Sequence, residues 1–402
     1  MLPDIADARV WTFPPNWSAR PTERYEFKTD IFTSRSGREQ RRALRDQPRR
    51  SHRYQVTAAG DDFRALNLFL RTGQNQPVAA PEWTRYAYLA ADVAATATTL
   101  TFAATPDWMV VGRAVMLLTD SVYHVAVIEA VTSTTVTIDT PLTDAWPTGS
   151  RVYAALLVLL NETMQGSHLT NGVTRKSLML SVFPGSEPAI DDGSAVTTFN
   201  GREVFTHTPN WSSDVSMDHS WAVETVDFGR GRIQDFRPVA FPASLRKATY
   251  LHRTAADIQA ITQFFCRQQG RRGAFYAPTC DDDLKLEATA SAGGTTLTVS
   301  AGRSTSLLIP GAGGYEDAEE AICIRLVDGT QYYRLITGVS GSGATRVATC
   351  SGGTWPVDLS SANVSGISWM PLCRFAADIL EITWLSDAVG QTQLAIQSIM
   401  TE

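Results

Sequence analysis

The chain has 402 residues, of which 44% are hydrophobic and 19% are charged, and its formal net charge at pH 7 is −6. This composition is typical of a globular protein with two or more domains, and the acidic balance argues against a dedicated nucleic-acid-binding protein. The amino terminus has neither a basic nor an apolar segment, so we expect no secretory signal. The longest apolar run, residues 152–160, is too short to span a bilayer.

Two predicted strands flank an arginine-rich segment near the start of the chain. Residues 24–32 alternate apolar and polar side chains, which is typical of a half-buried strand, and residues 53–57 predict a second, short strand. The segment from Arg35 to Arg53 contains eight arginines and only two acidic residues. A predicted strand at 221–228 begins the corresponding part of the second half, which is less basic.

Each half contains one amphipathic helix pattern, at residues 62–72 and 257–269. Thr254 or Asp257 can begin the second helix and Gly270 can end it. Because a single amphipathic helix among many strands must bury its apolar face, we expect each helix to pack on a sheet. The predicted apolar faces consist of Phe63, Leu66, Phe69 and Leu70 in the first helix and Ile258, Ile261, Phe264 and Phe265 in the second.

After each helix the chain changes to short β-branched runs separated by turn residues. Strands of this length and spacing are typical of a small antiparallel barrel. We therefore predict inserted barrels at about residues 86–153 and 284–369. A further strand follows each barrel, at 176–182 and 391–399, and we expect it to return to the sheet that precedes the barrel.

Short sequence matches recur in the same order in the two halves. Thr-Thr-Leu-Thr occurs at 98–101 and 295–298, and Pro-Asn-Trp-Ser occurs at 15–18 and 209–212. The helix patterns and the final strands follow this order, which predicts a tandem duplication rather than a solenoid of many small repeats. Units of this size are large enough to have a core each.

The predicted fold is mainly β. Each half is expected to be a β-sandwich-like domain with one amphipathic helix and an inserted small β-barrel. The predicted organisation is a first repeat at 1–182, a linker rich in Pro, Gly, Asp and Ser at 183–200, and a second repeat at 201–402.

The sequence contains no recognisable catalytic or metal-binding motif. Its six histidines have no zinc-binding spacing, and neither a nucleophile elbow nor a phosphate-binding loop is present. Residues 281–283 lack the spaced pattern of a calcium loop, and the acidic segment 316–320 suits a flexible loop better than rigid catalytic carboxylates. The five cysteines favour buried reduced thiols. We therefore expect no catalytic residues, no cofactor and no metal, and we predict that the protein is not an enzyme.

The arginine-rich segment is the most distinctive charged feature. Three interpretations stay open: a solvated surface, a docking surface for acidic patches on a neighbouring subunit, and nucleic-acid contact. Bidentate arginine pairs suit a subunit interface, whereas the segment lacks the interleaved aromatic residues on which bases stack. We expect no sequence-specific nucleic-acid binding. The candidate interface residues are Arg35, Arg38, Arg41, Arg42, Arg45, Arg49, Arg50 and Arg53.

The first part of the chain resembles a family of bacteriophage tail proteins. The resemblance rests on Pro14-Pro15-Asn16-Trp17, the strand at 25–29, the run Ser36-Gly-Arg-Glu-Gln-Arg41 followed by Pro48-Arg49-Arg50, and the helix at 62–70. These motifs are similar to the start of the distal tail, or tail-tip structural, proteins of long-tailed (siphovirus-like) bacteriophages and gene transfer agents. The second half departs from the pattern, because Phe-Gly-Arg-Gly-Arg-Ile replaces the Ser-Gly-Arg-Glu-Gln-Arg run.

The resemblance implies a structural subunit of a tail tip or baseplate, in a ring that joins the tail tube to the host-recognition apparatus. It implies partners among the tail-tube, hub and receptor-binding proteins, a virion-tail location after assembly in the host cytoplasm, and no membrane. The ring is expected to be a hexamer, or a trimer in which the two halves alternate around a pseudo-sixfold axis. The alternative function is a cell-envelope carbohydrate-binding protein of the tail. A tail-associated hydrolase is a third hypothesis.

Overall fold

The computed structural model describes residues 5, 7–72, 76–119, 122–161, 164–187, 195–231, 233–236, 242–300, 321–341 and 345–399. Within these residues the protein is mainly β with two α-helices, as the sequence predicts. The acidic segment 316–320 and residues 188–194 of the predicted linker lie outside the described residues.

The described residues of the first half contain eleven strands, one α-helix and one short 3-10 helix, Trp17–Ala19. In chain order the elements are β1 Arg9–Val10, β2 Thr22–Thr33, β3 Glu39–Ala59, α1 Gly60–Thr72, β4 Val78–Tyr88, β5 Thr99–Thr101, β6 Ala114–Leu118, β7 Tyr123–Val131, β8 Thr135–Ile138, β9 Arg151–Leu160, β10 Gln165–Thr170 and β11 Val173–Val182.

The described residues of the second half contain sixteen strands and one α-helix. In chain order they are β12 Thr198–Phe199, β13 Arg202–Glu203, β14 Ser216–Ser220, β15 Glu224–Asp227, β16 Ile233–Phe236, β17 Ala243–His252, α2 Ala255–Gln268, β18 Phe275–Tyr276, β19 Lys285–Leu286, β20 Thr296–Ser300, β21 Ala321–Leu326, β22 Gln331–Ser340, β23 Arg346–Ser351, β24 Val364–Trp369, β25 Leu372–Phe375, β26 Ile379–Trp384 and β27 Gly390–Ser398.

In the first half, the central strand β3 lies between β2 and β11, and both pairings are antiparallel. Strand β11 also pairs with β10 and with the end of β9, and β9 continues to β4. Helix α1 packs against β3 and β11, and its Leu66 lies in one buried cluster with Tyr54, Val56 and Leu178. Burying one leucine of this kind contributes about 1.5–3 kcal/mol, so the helix is held by its apolar face.

In the second half, the same order of pairings occurs. Strand β17 lies between β14 and β27, β27 also pairs with β26 and β25, and β25 continues to β18. Helix α2 packs against β17, with Ile258, Ile261 and Phe265 buried in the core. Each predicted helix therefore covers the sheet formed by the strand before it and the last strand of its half.

The ends of α2 follow the predicted signals. The Thr254 side chain accepts a hydrogen bond from the Asp257 backbone N–H at 3.1 Å, and the Asp257 carboxylate accepts one from the Thr254 N–H at 3.1 Å. At the other end, Gln269 and Gly270 both adopt positive φ angles, and Gly270 N–H donates to the Phe265 carbonyl at 3.3 Å. This left-handed turn is the conformation that favours glycine.

Within the described sequence between each helix and the final strand of its half, six strands form a barrel-like sheet. In the second half, six strands are ordered β19-β20-β23-β22-β21-β24, and a hydrogen bond from Leu284 N–H to the Ile367 carbonyl, 3.0 Å, nearly closes the ring. In the first half, the pairings run β5-β8-β7-β6-β9-β4, with Ala90 N–H donating to the Thr101 carbonyl at 2.8 Å.

Strand β3 is far longer than predicted. It has 21 residues, so the predicted strand at 53–57 lies near its end. Six of the eight arginines, from Arg41 to Arg53, belong to the same strand, whereas Arg35 and Arg38 lie in the turn before it. The alternation rule missed it because arginines interrupt the apolar positions where the hairpin of β2 and β3 is solvated. Pro48 falls at an irregularity in this hairpin, between the Glu26–Arg49 and Lys28–Arg45 pairs, where a missing N–H is tolerated.

The predicted strand at 221–228 is also different in the structure. Only Glu224–Asp227 is a strand, and it forms a two-stranded hairpin with β16. The strand that pairs with β17, as β2 pairs with β3, is Ser216–Ser220 instead.

Neither α1 nor α2, the two α-helices in the described residues, has the length and apolar character needed to cross a membrane.

Candidate functional site at the joint between the two halves

Strand β2 connects the two halves by hydrogen bonding to both of them. On one edge it pairs with β3 of the first half, and on the other edge it pairs antiparallel with β26 of the second half. Thr22 lies opposite Thr383 and Tyr25 lies opposite Leu380 in this register. The sheet is therefore continuous from one half to the other, and we call this β2–β26 contact the joint.

Apolar side chains of the first half complete the core of the second half at the joint. Tyr25 and Phe27 are only 2% and 3% exposed, and both belong to the buried cluster around α2. The ring of Phe27 lies 5.8 Å from that of Phe265 on α2. Trp17 packs against the same cluster. Since burial of an aromatic side chain contributes a large apolar area, the joint is a packed interface as well as a strand pairing.

Asp378 fixes the position of β2 where it leaves the joint. Its carboxylate accepts hydrogen bonds from the backbone N–H and the hydroxyl of Thr29, at 2.7 and 2.8 Å, and from Arg271 N–H at 2.8 Å. The Asp378 carbonyl accepts another from Phe27 N–H at 2.9 Å. Bonds to a charged acceptor are stronger than neutral ones, so this one residue holds both chain segments in register.

A buried ion-pair cluster lies beside the joint and is centred on Arg50. Its guanidinium donates to Glu23 on β2 at 2.8 Å, to Glu82 on β4 at 2.6 Å and to Glu187 at 2.7 Å. Arg85 contacts Glu82 at 3.5 Å. Arg50, Glu23 and Glu82 are all almost completely buried. The cluster ties the hairpin, the barrel strand and the segment after β11 to one another.

The charges of this cluster shift the pKa values of its members in opposite directions. Burial alone would raise the pKa of Glu23 and of Glu82, but Arg50 and the neighbouring cations together outweigh burial and hold both below the usual range. The neighbouring carboxylates raise the pKa of Arg50. Burial and the Arg50 charge together lower the pKa of His52, which keeps it neutral. The arrangement is stable as ionised carboxylates around one cation.

The turn end of the β2–β3 hairpin is fixed to the second half by two ion pairs. Arg374 donates two 2.7 Å hydrogen bonds to the carboxylate of Glu39, the first residue of β3 after the turn, and both side chains are almost completely buried. At the tip, Arg35 pairs with Glu224 of the β15–β16 hairpin. The pKa of Glu39 is lowered because the Arg374 hydrogen bond and charge outweigh its burial.

The predicted interface arginines therefore have different environments. Arg50 is used inside the chain, and Arg45 donates to the Glu26 carbonyl at 2.7 Å on the same hairpin. Arg41 is half-buried on β3. The exposed members of the set are Arg35, Arg38, Arg42, Arg49 and Arg53. Their role as a contact surface for another subunit stays a prediction.

The sequence reasoning missed an exposed apolar surface around the β15–β16 hairpin. It was missed because the pattern suggested one half-buried strand. The large side chains on this surface are exposed in the single chain by 38–68% and consist of Trp211, Trp221, Val223, Val226, Phe228, Ile233 and Phe236. Large apolar side chains exposed in this number within one segment indicate a candidate contact site.

Residues 281–283 show no sign of a metal site. The Asp283 carboxylate accepts hydrogen bonds from the Thr279 hydroxyl at 2.6 Å and from Trp369 N–H at 2.9 Å. Burial and the nearby Asp283 raise the pKa of Asp281. Throughout the described ranges, no group of three or more His, Cys, Asp or Glu side chains is arranged to hold a metal ion. Asp283 acts as a turn-forming acceptor between two chain segments.

No protein-family model matches the chain, and no curated protein matches it either.

Proposed function

We propose that the protein is a structural subunit of a bacteriophage tail tip or baseplate, in a distal tail-like ring between the tail tube and the host-recognition apparatus. The observation that carries this proposal is the joint, in which a strand of one half extends the sheet and fills the core of the other half. Domains that join edge to edge in this way suit a ring built from repeated heterologous contacts. The resemblance of about 80 residues at the start of the chain to distal tail proteins supports the same class.

We infer that the chain is a tandem duplication of a sandwich-like domain with a barrel insertion. The backbone supports this beyond the short sequence matches. Asn16 N–H donates to the Gln55 carbonyl and Asn210 N–H donates to the Thr249 carbonyl. In each half this bond ties the repeated Pro-Asn-Trp-Ser run to the central strand. Within the proposed ring, either six copies assemble or three copies present six domains.

The proposed role is not enzymatic. The charged groups beside the joint form ion pairs with one another, and Arg50 is surrounded by carboxylates. This arrangement differs from a nucleophile and a base held together in a cleft. We expect purified protein to leave peptidoglycan and capsule suspensions turbid. Clearing that is lost on substitution of an Asp or Glu side chain contradicts this part of the proposal.

A second candidate function is the binding of cell-envelope carbohydrate by the first barrel. Tyr88 is half-exposed at its surface, with the Tyr86 ring 5.5 Å away and the Arg151 guanidinium 4.8 Å from that ring. Exposed aromatic faces of this kind stack on sugars. Glycan-array binding that is lost in Tyr88→Ala favours this function, and an array with no bound glycan removes it.

Location in the virion tests the proposed function. Gold-labelled antibody against this protein is applied to intact particles and to particles whose tails have been separated from their heads. We expect label at the distal end of the tail only, close to the tail axis. Label on heads, or on fibres away from the axis, contradicts a tail-tip ring.

A further inference from the structure

We propose that copies of this chain join head to tail through a second version of the joint, in which β14 of one copy pairs with β10 of the next. This inference rests on the proposed ring function and identifies the two surfaces that form it. The two surfaces are identified by comparing the strand edges and side chains that form the internal joint with their counterparts in the other half.

The free edges have paired counterparts in the other half. Strand β14 occupies the same place beside β17 that β2 occupies beside β3. Ser216 lies opposite Lys247 in the second half, and Thr22 lies opposite the corresponding residue, Arg53, in the first half. Strand β10 stands to β11 as β26 stands to β27. Inside the chain β2 and β26 pair with each other, whereas the described structure pairs β14 and β10 on one edge only. All six residues of β10 are exposed.

The side chains that fill the joint also have exposed counterparts. Counting along the paired strands, Phe27 corresponds to Trp221, and the shared Pro-Asn-Trp-Ser run makes Trp17 correspond to Trp211. Phe27 is buried and Trp17 packs on the second-half core, but Trp221 is 62% exposed and Trp211 is 57% exposed. These tryptophans occupy the positions from which the joint is built, and the single chain leaves them uncovered.

The first half has the matching uncovered surface, which lies on α1. Seven residues of α2 are buried, but in α1, all of which is described, only Leu66 is buried. The helix alignment pairs Phe265, which contacts Phe27 of β2, with Leu70 on α1, which is only half-buried. In α2 the side chain of Phe27 covers this position. In α1 we assign the equivalent cover to β14 of a neighbouring copy.

An unpaired edge strand is a template for pairing with another chain. Here the chain itself indicates the occupant, because the internal joint is an example of the same kind of contact with the same order of elements. A neighbour of different chemistry would need to supply both the strand and the aromatic side chains that β14, Trp211 and Trp221 already provide. We therefore assign a second copy of this chain to the free edge.

The register of the internal joint transfers to the contact between copies. In the internal joint Arg24 lies opposite Glu381. Asp218 corresponds to Arg24 and Gln165 corresponds to Glu381, so Asp218 of one copy lies opposite Gln165 of the next. By the same correspondence, Ser216 lies opposite Ser167. The two halves then alternate in the wall of one ring, and three copies present six domains to a sixfold tube. The hexamer in which only one half lines the channel does not use this contact.

Disulfide cross-linking of the full chain tests the register. Residues directly opposite in an antiparallel pair have Cβ atoms about 4.5–5.5 Å apart, which is close to the disulfide range. We expect Asp218→Cys combined with Gln165→Cys to give reducible dimers and trimers under mild oxidation. The matched control combines Asp218→Cys with Thr170→Cys, five residues further along β10, or about 16 Å away. Each single variant controls for the native cysteines.

A cross-link that forms only in the facing pair supports the contact. Equal cross-linking of the facing and displaced pairs, or none in either pair, overturns it. Gold label at the tail tip together with either of those results leaves the ring proposal standing and removes this interface alone.

A second measurement uses the mass of the native assembly. We expect three times 43.9 kDa for the unaltered chain and a single-chain mass for Trp221→Ser. The far-UV circular dichroism spectrum of this variant should be unchanged, because Trp221 is exposed in the single chain. Val327→Ser, a substitution at an exposed apolar residue between β21 and β22 of the separate six-stranded sheet, should keep the three-chain mass. A single-chain mass of the unaltered protein at all concentrations, or a three-chain mass of Trp221→Ser, contradicts the proposal.

Discussion

The buried cation Arg50 gives the sharpest test of how the hairpin, the barrel and the second half are held together. The perturbation is Arg50→Met, which keeps most of the side-chain volume and removes the charge. Three carboxylates lie within hydrogen-bond distance of the guanidinium, and Glu23 and Glu82 are almost fully buried. The variant leaves them without their central partner.

The expected loss in free energy of unfolding is about 3–5 kcal/mol at pH 7, the range for removing one member of a buried ion pair. Arg85 remains 3.5 Å from Glu82, and this remaining cation keeps the loss from exceeding that range. Substituting all members of the cluster together by apolar residues is expected to cost less, because no unpaired charge is then buried.

The loss depends on pH with a definite sign. In the unaltered protein the pKa values of Glu23 and Glu82 are depressed, so their stabilisation is present above the usual carboxyl pKa near 4.5 and is lost as the pH falls below it. In Arg50→Met the pKa values of the two carboxyl groups rise through burial, and protonation relieves the variant. We therefore expect the difference between the two proteins to shrink as the pH falls from 7 to 4.5.

The assay is urea unfolding at pH 7, 6, 5 and 4.5, with Arg49→Met as the matched control. Arg49 is adjacent and exposed, so we expect its substitution to change the free energy by less than about 0.5 kcal/mol. The ion-pair account fails if Arg50→Met and Arg49→Met unfold alike at pH 7, or if the Arg50→Met difference grows as the pH falls.

Three further outcomes follow from contacts in the second half. We expect Phe27→Ala to cost about 3–5 kcal/mol and to lower the urea midpoint of the second-half core, and an unchanged midpoint would contradict the joint. Thr254→Ala is expected to cost about 1 kcal/mol through loss of the α2 cap, whereas Thr254→Ser, which keeps the acceptor, should cost much less. Burial lowers the pKa of His207 and of His252 to about 4. Since these histidines take up protons at higher pH in the unfolded chain than in the folded one, the free energy of unfolding should fall as the pH drops from 6.5 towards 4. The double variant His207→Gln/His252→Gln should show a weaker dependence of the free energy of unfolding on pH in this range.

The sequence predicted the features that depend on local patterns. Ile258, Ile261 and Phe265 repeat at helical spacing, and the structure places them on the buried face of α2. Thr254 and Asp257 are the residue types that cap a helix, and they do so. These predictions succeeded because a helix interior and its cap are determined by residues within one or two turns.

The joint could not be predicted in the same way. Tyr25 and Phe27 alternate with polar residues, which indicates a strand with one buried face, but the alternation does not identify the strand on its other edge. That β26, more than 350 residues later, is the partner depends on the relative position of the two halves. The long strand β3 was missed for a related reason, because arginines along a solvated hairpin remove the apolar period.

The central claim is that this chain forms a ring around the tail axis. A reconstruction of the tail tip by electron cryomicroscopy, calculated without imposed symmetry, tests it most directly. The account predicts a closed ring continuous with the tail tube, with density for both halves in its wall and with β14 of one copy beside β10 of the next. A single copy lying away from the tail axis would contradict the account.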